Sequence, residues 1–131
     1  MQKFTFKKEE RLCSEKLLGL LYKNGSSFLL YPYRFTWMFN PHEQAYPVQV
    51  VVGVPKKRFK RSVDRNLLKR RIKECYRLQK QELLYQPLES RGQYLLLGVN
   101  YVGKEILEHD HLCARLQKAM ALLLTKLGES K

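Results

Sequence analysis

Apolar positions recur with two different periods along this chain, and the switches between them mark its elements. Between residues 7 and 23, Leu12, Leu17, Leu18, Leu20 and Leu21 recur at helical spacing and predict a first helix, which Asn24-Gly25 ends. From Phe28 to Phe39 the period drops to two. Tyr31, Tyr33, Phe35, Trp37 and Phe39 then share one face of a strand. Pro32, on the opposite face, predicts an edge or a bulge. Asn40-Pro41-His42-Glu43 reads as a turn, and the valine-rich run Val48 to Val54 as a buried strand. Residues 62–84 predict a long helix with Ser62 as N-cap and Asp64 in its first turn. Gln86-Pro87 and Arg91-Gly92 bracket an expected loop, and Tyr94 to Val99 predicts a third strand. Residues 108–127 close the chain as a helix with Leu112, Leu116, Ala119, Leu123 and Leu127 on one stripe. A short extra strand near Ser26–Phe28 is also expected.

The order α, β, β, α, β, α places the chain in the α+β class. Its 131 residues fit one domain over 1–131, with no internal repeat. No run of 18 apolar residues occurs, and the N-terminal stretch has no apolar signal segment, so a cytoplasmic, membrane-free protein is expected.

Charge changes the picture from a generic domain to a binding protein. Lys and Arg number 25 and Asp and Glu 12, a net charge of +13. Residues 55–80 hold twelve of those cations against two acids, Asp64 and Glu74. On a helical wheel of 62–84, Leu67, Leu68, Ile72, Cys75 and Leu78 form one sector. Asn66, Lys69, Arg70, Lys73, Arg77 and Lys80 form the opposite one. Arg65 lies at the boundary, and Arg71 falls among the apolar residues with its stem snorkelling. Acids that normally alternate with such cations are nearly absent, so the stripe repels itself unless a polyanion covers it. Cations spaced along one stripe can each meet a backbone phosphate, and Asn66 adds a donor and an acceptor suited to a folded RNA backbone.

Other chemistry is sparse. Cys13, Cys75 and Cys113 are odd in number and form no CxxC pair, so buried thiols are expected rather than a disulfide or a zinc site. Glu108-His109-Asp110-His111 is the densest group of ligand types. On a helix His109 and His111 point to different sides, so no metal site and no catalytic residue is expected there. No nucleophile elbow, P-loop or zinc-protease motif occurs. The aromatic strand leaves two readings open: ordinary core, or a cleft in which single-stranded bases stack.

The stretch from Lys57 to Arg77 closely resembles the signature of the bacterial ribonuclease P protein subunit, roughly K-K-x-G-K-A-V-x-R-N-R-x-K-R-x-x-R-E-x-x-R. Arg65, Asn66, Lys69, Arg70, Glu74 and Arg77 match it directly, and Lys73 keeps the charge. Leu67 stands where the family has an Arg, Lys60 where it has a glycine, and Leu18 where it has an aromatic, with Tyr22 one turn on. The flanking pattern extends the likeness over residues 6–126. The resemblance implies a single α/β sandwich with a central, mostly antiparallel sheet of about four strands and a left-handed βαβ crossover. It implies the non-catalytic protein subunit of an endoribonuclease whose RNA, with Mg²⁺, removes the 5′ leader of precursor tRNA. Ribonuclease P RNA and precursor tRNA would be its partners, with no obligatory protein partner. Lys57, Arg58, Lys60, Arg61, Arg65, Asn66, Lys69, Arg70, Lys73 and Arg77 would bind RNA. Tyr22, Phe35 and Trp37 would line a leader cleft. A general RNA-binding or RNA-chaperone module is the alternative; a self-sufficient nuclease at His109–His111 and a DNA-binding protein are weaker ones.

Overall fold

The structure, a computed structural model, describes residues 6–129. Residues 1–5 and 130–131 fall outside it, so the start of the N-terminal stretch considered above lies beyond the described residues.

The first helix is shorter than its apolar pattern suggests. A single 3₁₀ turn spans Lys8–Glu10, and α1 runs Glu15–Asn24. Ser14 sets its start, because its hydroxyl accepts the Leu17 N–H at 3.3 Å. The chain before it is tied to the sheet instead: Leu12 N–H donates to the Val50 carbonyl at 2.9 Å. Beyond α1, the expected strand from Phe28 divides into β1 (Ser26–Leu30) and β2 (Tyr33–Phe39). The break falls at Tyr31-Pro32, where the peptide bond is cis and Pro32 has no N–H for a ladder. Tyr31 therefore leaves the strand and is exposed.

β3 is Val48–Gly53, and α2 follows as Ser62–Lys80 with Arg61 in the cap position. The helical path continues past the expected end through a wider π-type turn at Gln81–Tyr85 into α3, Gln86–Arg91. Pro87 does not break it: it falls directly after the wider turn, at the start of α3. Gly92 ends the path with φ 64°, a left-handed conformation that glycine adopts without strain. β4 (Leu95–Tyr101) and α4 (His109–Glu129) complete the fold.

The sheet order is β1-β2-β4-β3. β1 with β2 and β2 with β4 are antiparallel, and β3 with β4 is parallel, joined by the crossover that contains α2. Central β4 is buried on both faces, which is why its sequence reads as a continuous apolar run. One face carries Tyr33, Phe35, Trp37, Val48, Val50, Val52, Leu97 and Val99 into the main core, with Leu68 and Ile72 of α2 and Leu116 and Leu123 of α4. The other carries Leu96 against Leu12 and Leu21, with Leu17, Leu18, Met38 and Val51 packed around them.

Cysteine usage differs from expectation. Cys75 of α2 and Cys113 of α4 form a disulfide with Cα atoms 5.0 Å apart, while Cys13 is an exposed thiol. The two helices pack side by side, which closes the 38 residues that separate these cysteines in sequence.

Candidate nucleic-acid interface

The basic segment has two parts, a loop after β3 and the outer side of α2. In the loop, Phe59 is buried and its ring lies 5.9 Å from that of Tyr101. This anchor turns Lys56, Lys57, Arg58, Lys60 and Arg61 outward, and all five are exposed. Two arginines stiffen the segment. Arg65 donates to the carbonyls of Phe59 and Lys60 at 2.8 and 2.9 Å, and Arg58 donates to Val102 O at 3.1 Å. Arg65, counted above as an RNA ligand, thus spends part of its guanidinium holding the loop. Arg71 does more than snorkel, since it donates to the Leu107 carbonyl at 2.7 Å and ties α2 to the segment before α4.

Along α2, Leu68, Ile72, Cys75 and Tyr76 are buried, as one helical stripe demands. Leu78, expected among them, is exposed. Asn66, Lys69, Arg70, Lys73, Glu74 and Arg77 line a shallow depression of about 360 Å³ with Phe6. Among the described residues, Lys69, Arg70 and Lys73 make no ion pair. Glu74 pairs with Arg77 one turn on, and that hydrogen bond holds the carboxyl below its usual range. Phe6, which the sequence reading passed over, packs edge-on against Tyr76 at 5.8 Å and supplies an aromatic wall beside the cations.

Lys80 does not belong to this stripe. It is 2% exposed and ion-paired with buried Glu10, whose carboxylate also accepts the Tyr85 hydroxyl at 2.6 Å. Burial lowers the Lys80 pKa, and the Glu10 carboxylate acts in the opposite direction. The wheel put Lys80 with the other cations, but Glu10 lies seventy residues away in sequence and the pairing is invisible locally. Oxygen ligands for a hard cation are scarce on α2: its acids are Asp64 and the paired Glu74. This helix builds no all-oxygen cage of its own.

The second predicted surface is corrected in its membership. Tyr22 is exposed on α1, whereas Phe35 is 0% and Trp37 6% exposed in the core on the opposite face of the sheet. The three cannot line one groove, because alternation along β2 sends Phe35 and Trp37 away from α1. Tyr22 instead lies over Gly98, where a methyl group would collide with its phenol, and its hydroxyl accepts from Asn100 Nδ2 at 3.2 Å. The register sets Arg34 beside Asn100 and Asn100 beside Gly53 on that same face. Tyr22 thus sits over Gly98 and Asn100 over Gly53, with Arg34 beside Asn100 in the register. Arg34 and Asn100 were missed by the sequence reading. The signal for Arg34 was its place among residues alternating with the β2 aromatics.

His109 and His111 do diverge, as expected, but His109 meets Cys113 and Cys75. The sequence reading compared His109 with His111 and overlooked the i, i+4 pair His109–Cys113.

Comparison with known proteins places this geometry in context. The ribonuclease P protein component of Porphyromonas gingivalis is 32% identical over 117 residues, covering 89% of this chain and 85% of that protein. That of Chlorobium phaeobacteroides is 34% identical over 107 residues, covering 76% and 73%. The RNase P protein of Staphylococcus aureus superposes with a TM-score of 0.68 at 17% identity, covering 88% of this chain and 96% of that one. The Thermotoga maritima RNase P protein does so with a TM-score of 0.62 at 20% identity, covering 86% and 96%. At these identities the two structures speak for the fold. The family model described as Ribonuclease P matches residues 6–127, and with the curated relatives it shows that this chain belongs to the ribonuclease P protein family.

Proposed function

We propose that this chain binds ribonuclease P RNA through the loop after β3 and the outer side of α2, and the 5′ leader of precursor tRNA through the face edged by Tyr22. Membership of the family makes it a protein component of an endoribonuclease that processes tRNA. The observation that carries the finer reading is the acid-poor stripe of Asn66, Lys69, Arg70 and Lys73, held rigid by a buried inner side and flanked by outward loop cations. Such a surface neutralises phosphates on a folded RNA by counterion release and reads shape rather than sequence.

Tyr22 offers a ring face to a base, Asn100 an amide to its edge, and Arg34 a charge to the adjoining phosphate, a combination that holds single strands with little sequence preference. Bond cleavage belongs, on this reading, to the RNA and its Mg²⁺ ions, and the side chains bind and position. The protein would work in the cytoplasm, alone with its RNA. Among the described residues no helix is long and apolar enough to cross a membrane.

Reconstitution tests the reading. Added to ribonuclease P RNA at low Mg²⁺, the protein should restore removal of the 5′ leader, and protein alone should cleave nothing. Binding to many structured RNAs with no restored processing would favour the general RNA-binding module instead.

A further inference from the structure

One group of metal-ligating side chains lies on the inner side of α2, bordering the outer surface only where His109 comes within electrostatic reach of Glu74. Cys75, on the inner side of α2, meets His109 and Cys113 of the first turns of α4, and their ligand atoms lie within 4.8 Å of one another. Cys75 is buried and the other two are half-buried. His109 and Cys113 are four residues apart on one helix and share a face. We propose that, when the Cys75–Cys113 disulfide is reduced, these three residues form a zinc site that clamps α4 to α2.

The geometry supports this most directly between the two ligands on α4. With Zn–S of about 2.3 Å and Zn–N of about 2.0–2.1 Å, tetrahedral ligand atoms lie about 3.5–3.8 Å apart. His109 Nε2 is already 3.5 Å from Cys113 Sγ. The other ring nitrogen, Nδ1, is 3.8 Å from the same sulfur, so either nitrogen is within reach of a metal held by Cys113. Two thiolates and an imidazole are a soft set that selects zinc over magnesium or calcium. The fourth position would take water, which reaches the site past His109, 41% exposed. Gln79 lies beside it: its Nε2 donates to the Cys113 carbonyl at 3.0 Å, and its buried Oε1 has no partner among the described residues. That oxygen is an acceptor for the zinc-bound water.

The chemistry balances with a dithiol reductant, the class that keeps thiols reduced inside cells. It gives two electrons and two protons, becoming a disulfide while the Cys75–Cys113 bond opens to two thiols. Zinc then displaces both protons to solvent and binds two thiolates. Disulfide and zinc are alternative clamps on the back of α2, so its cationic outer side stays in place under either redox condition.

The test uses the whole protein, reduced with a dithiol, desalted without oxygen, and titrated with Zn²⁺ or with Co²⁺ as a spectroscopic substitute. One metal per chain, two protons released and a thiolate-to-cobalt charge-transfer band are expected. His109→Ala should weaken Zn²⁺ binding at least about 10-fold. It should leave the melting temperature of the oxidised protein unchanged, because the disulfide does not need His109. Cys13→Ser should leave metal binding unchanged. The proposal is overturned if the reduced protein takes up no metal, or if His109→Ala binds it as tightly. The latter would mean that thiols alone, in a folded or an unfolded chain, account for the uptake.

Discussion

The outer side of α2 and the α1 face of the sheet are both candidate RNA surfaces, yet they are built on opposite physical plans. The first is a display of charge on a rigid support: its inner residues Leu68 and Ile72 are fully buried, and its outer ones are cations with two acids among them. The second holds little charge. It consists of an exposed ring, an amide and one arginine, with the ring seated over Gly98 and the amide over Gly53, which leave room for them. A surface of the first kind binds any suitably shaped polyanion and loses affinity steeply with salt, whereas one of the second kind accepts a strand in an extended path and, with a single arginine for the phosphates, has a shallower salt dependence. The two lie on helices that pack against opposite faces of one sheet. They are therefore separable by substitution.

The largest expected effect tests whether the β2 rings belong to either surface. Phe35→Ala should destabilise the protein by about 3–5 kcal/mol through loss of a fully buried ring, read as a shift in urea midpoint. If stability is kept and only leader binding falls, the assignment of Phe35 to the core is wrong. Next comes charge. About six phosphate contacts give a log–log salt slope of about −5 and roughly a 10³-fold loss of RNA affinity between 50 and 200 mM salt. Replacing Lys69, Arg70 and Lys73 together by Ala should bring the slope up by about 3, shrinking that loss to roughly 10- to 30-fold. An unchanged slope would remove α2 from the interface.

Tyr22→Ala sharpens the contrast from the other side. It should leave the salt slope and the affinity for the RNA subunit unaltered. The preference for precursor over mature tRNA should fall by about 5- to 150-fold, the worth of one stacked base. Loss of RNA-subunit binding instead would merge the two surfaces into one. The smallest effect concerns Glu74, whose folded-state carboxyl pKa is lowered by Arg77. A lowered value favours the folded state above the ordinary carboxylate range, and the benefit disappears as pH falls through the lowered value. Melting curves of the parent and Glu74→Gln, measured from neutral pH to below 3, should therefore converge at the acid end. Both groups are only half-buried and solvent screens the pair, so the gap at neutral pH should be slight.

Wherever a feature depends on neighbours within one or two turns, it was legible in the residues alone. The two-sided character of α2 is set by spacing every three to four residues, and the near absence of acids from 55 to 80 needs no coordinates to count. The same holds for the valines of β3 and the leucine stripe of α4, since a helix or strand period places side chains before any packing occurs. Partners far apart in sequence were another matter. Lys80 looked like one more surface cation until the fold brought Glu10 against it, and three scattered cysteines became a disulfide and an exposed thiol when α4 lay along α2. Alternation put Phe35 and Trp37 on one face of β2, but which face α1 would cover depends on how the chain crosses the sheet. Periodicity is a property of a local backbone path. Burial, pairing and the membership of a groove depend on which paths come to lie side by side, and in this molecule that brought Tyr22 to Asn100 and sent the aromatic row into the core.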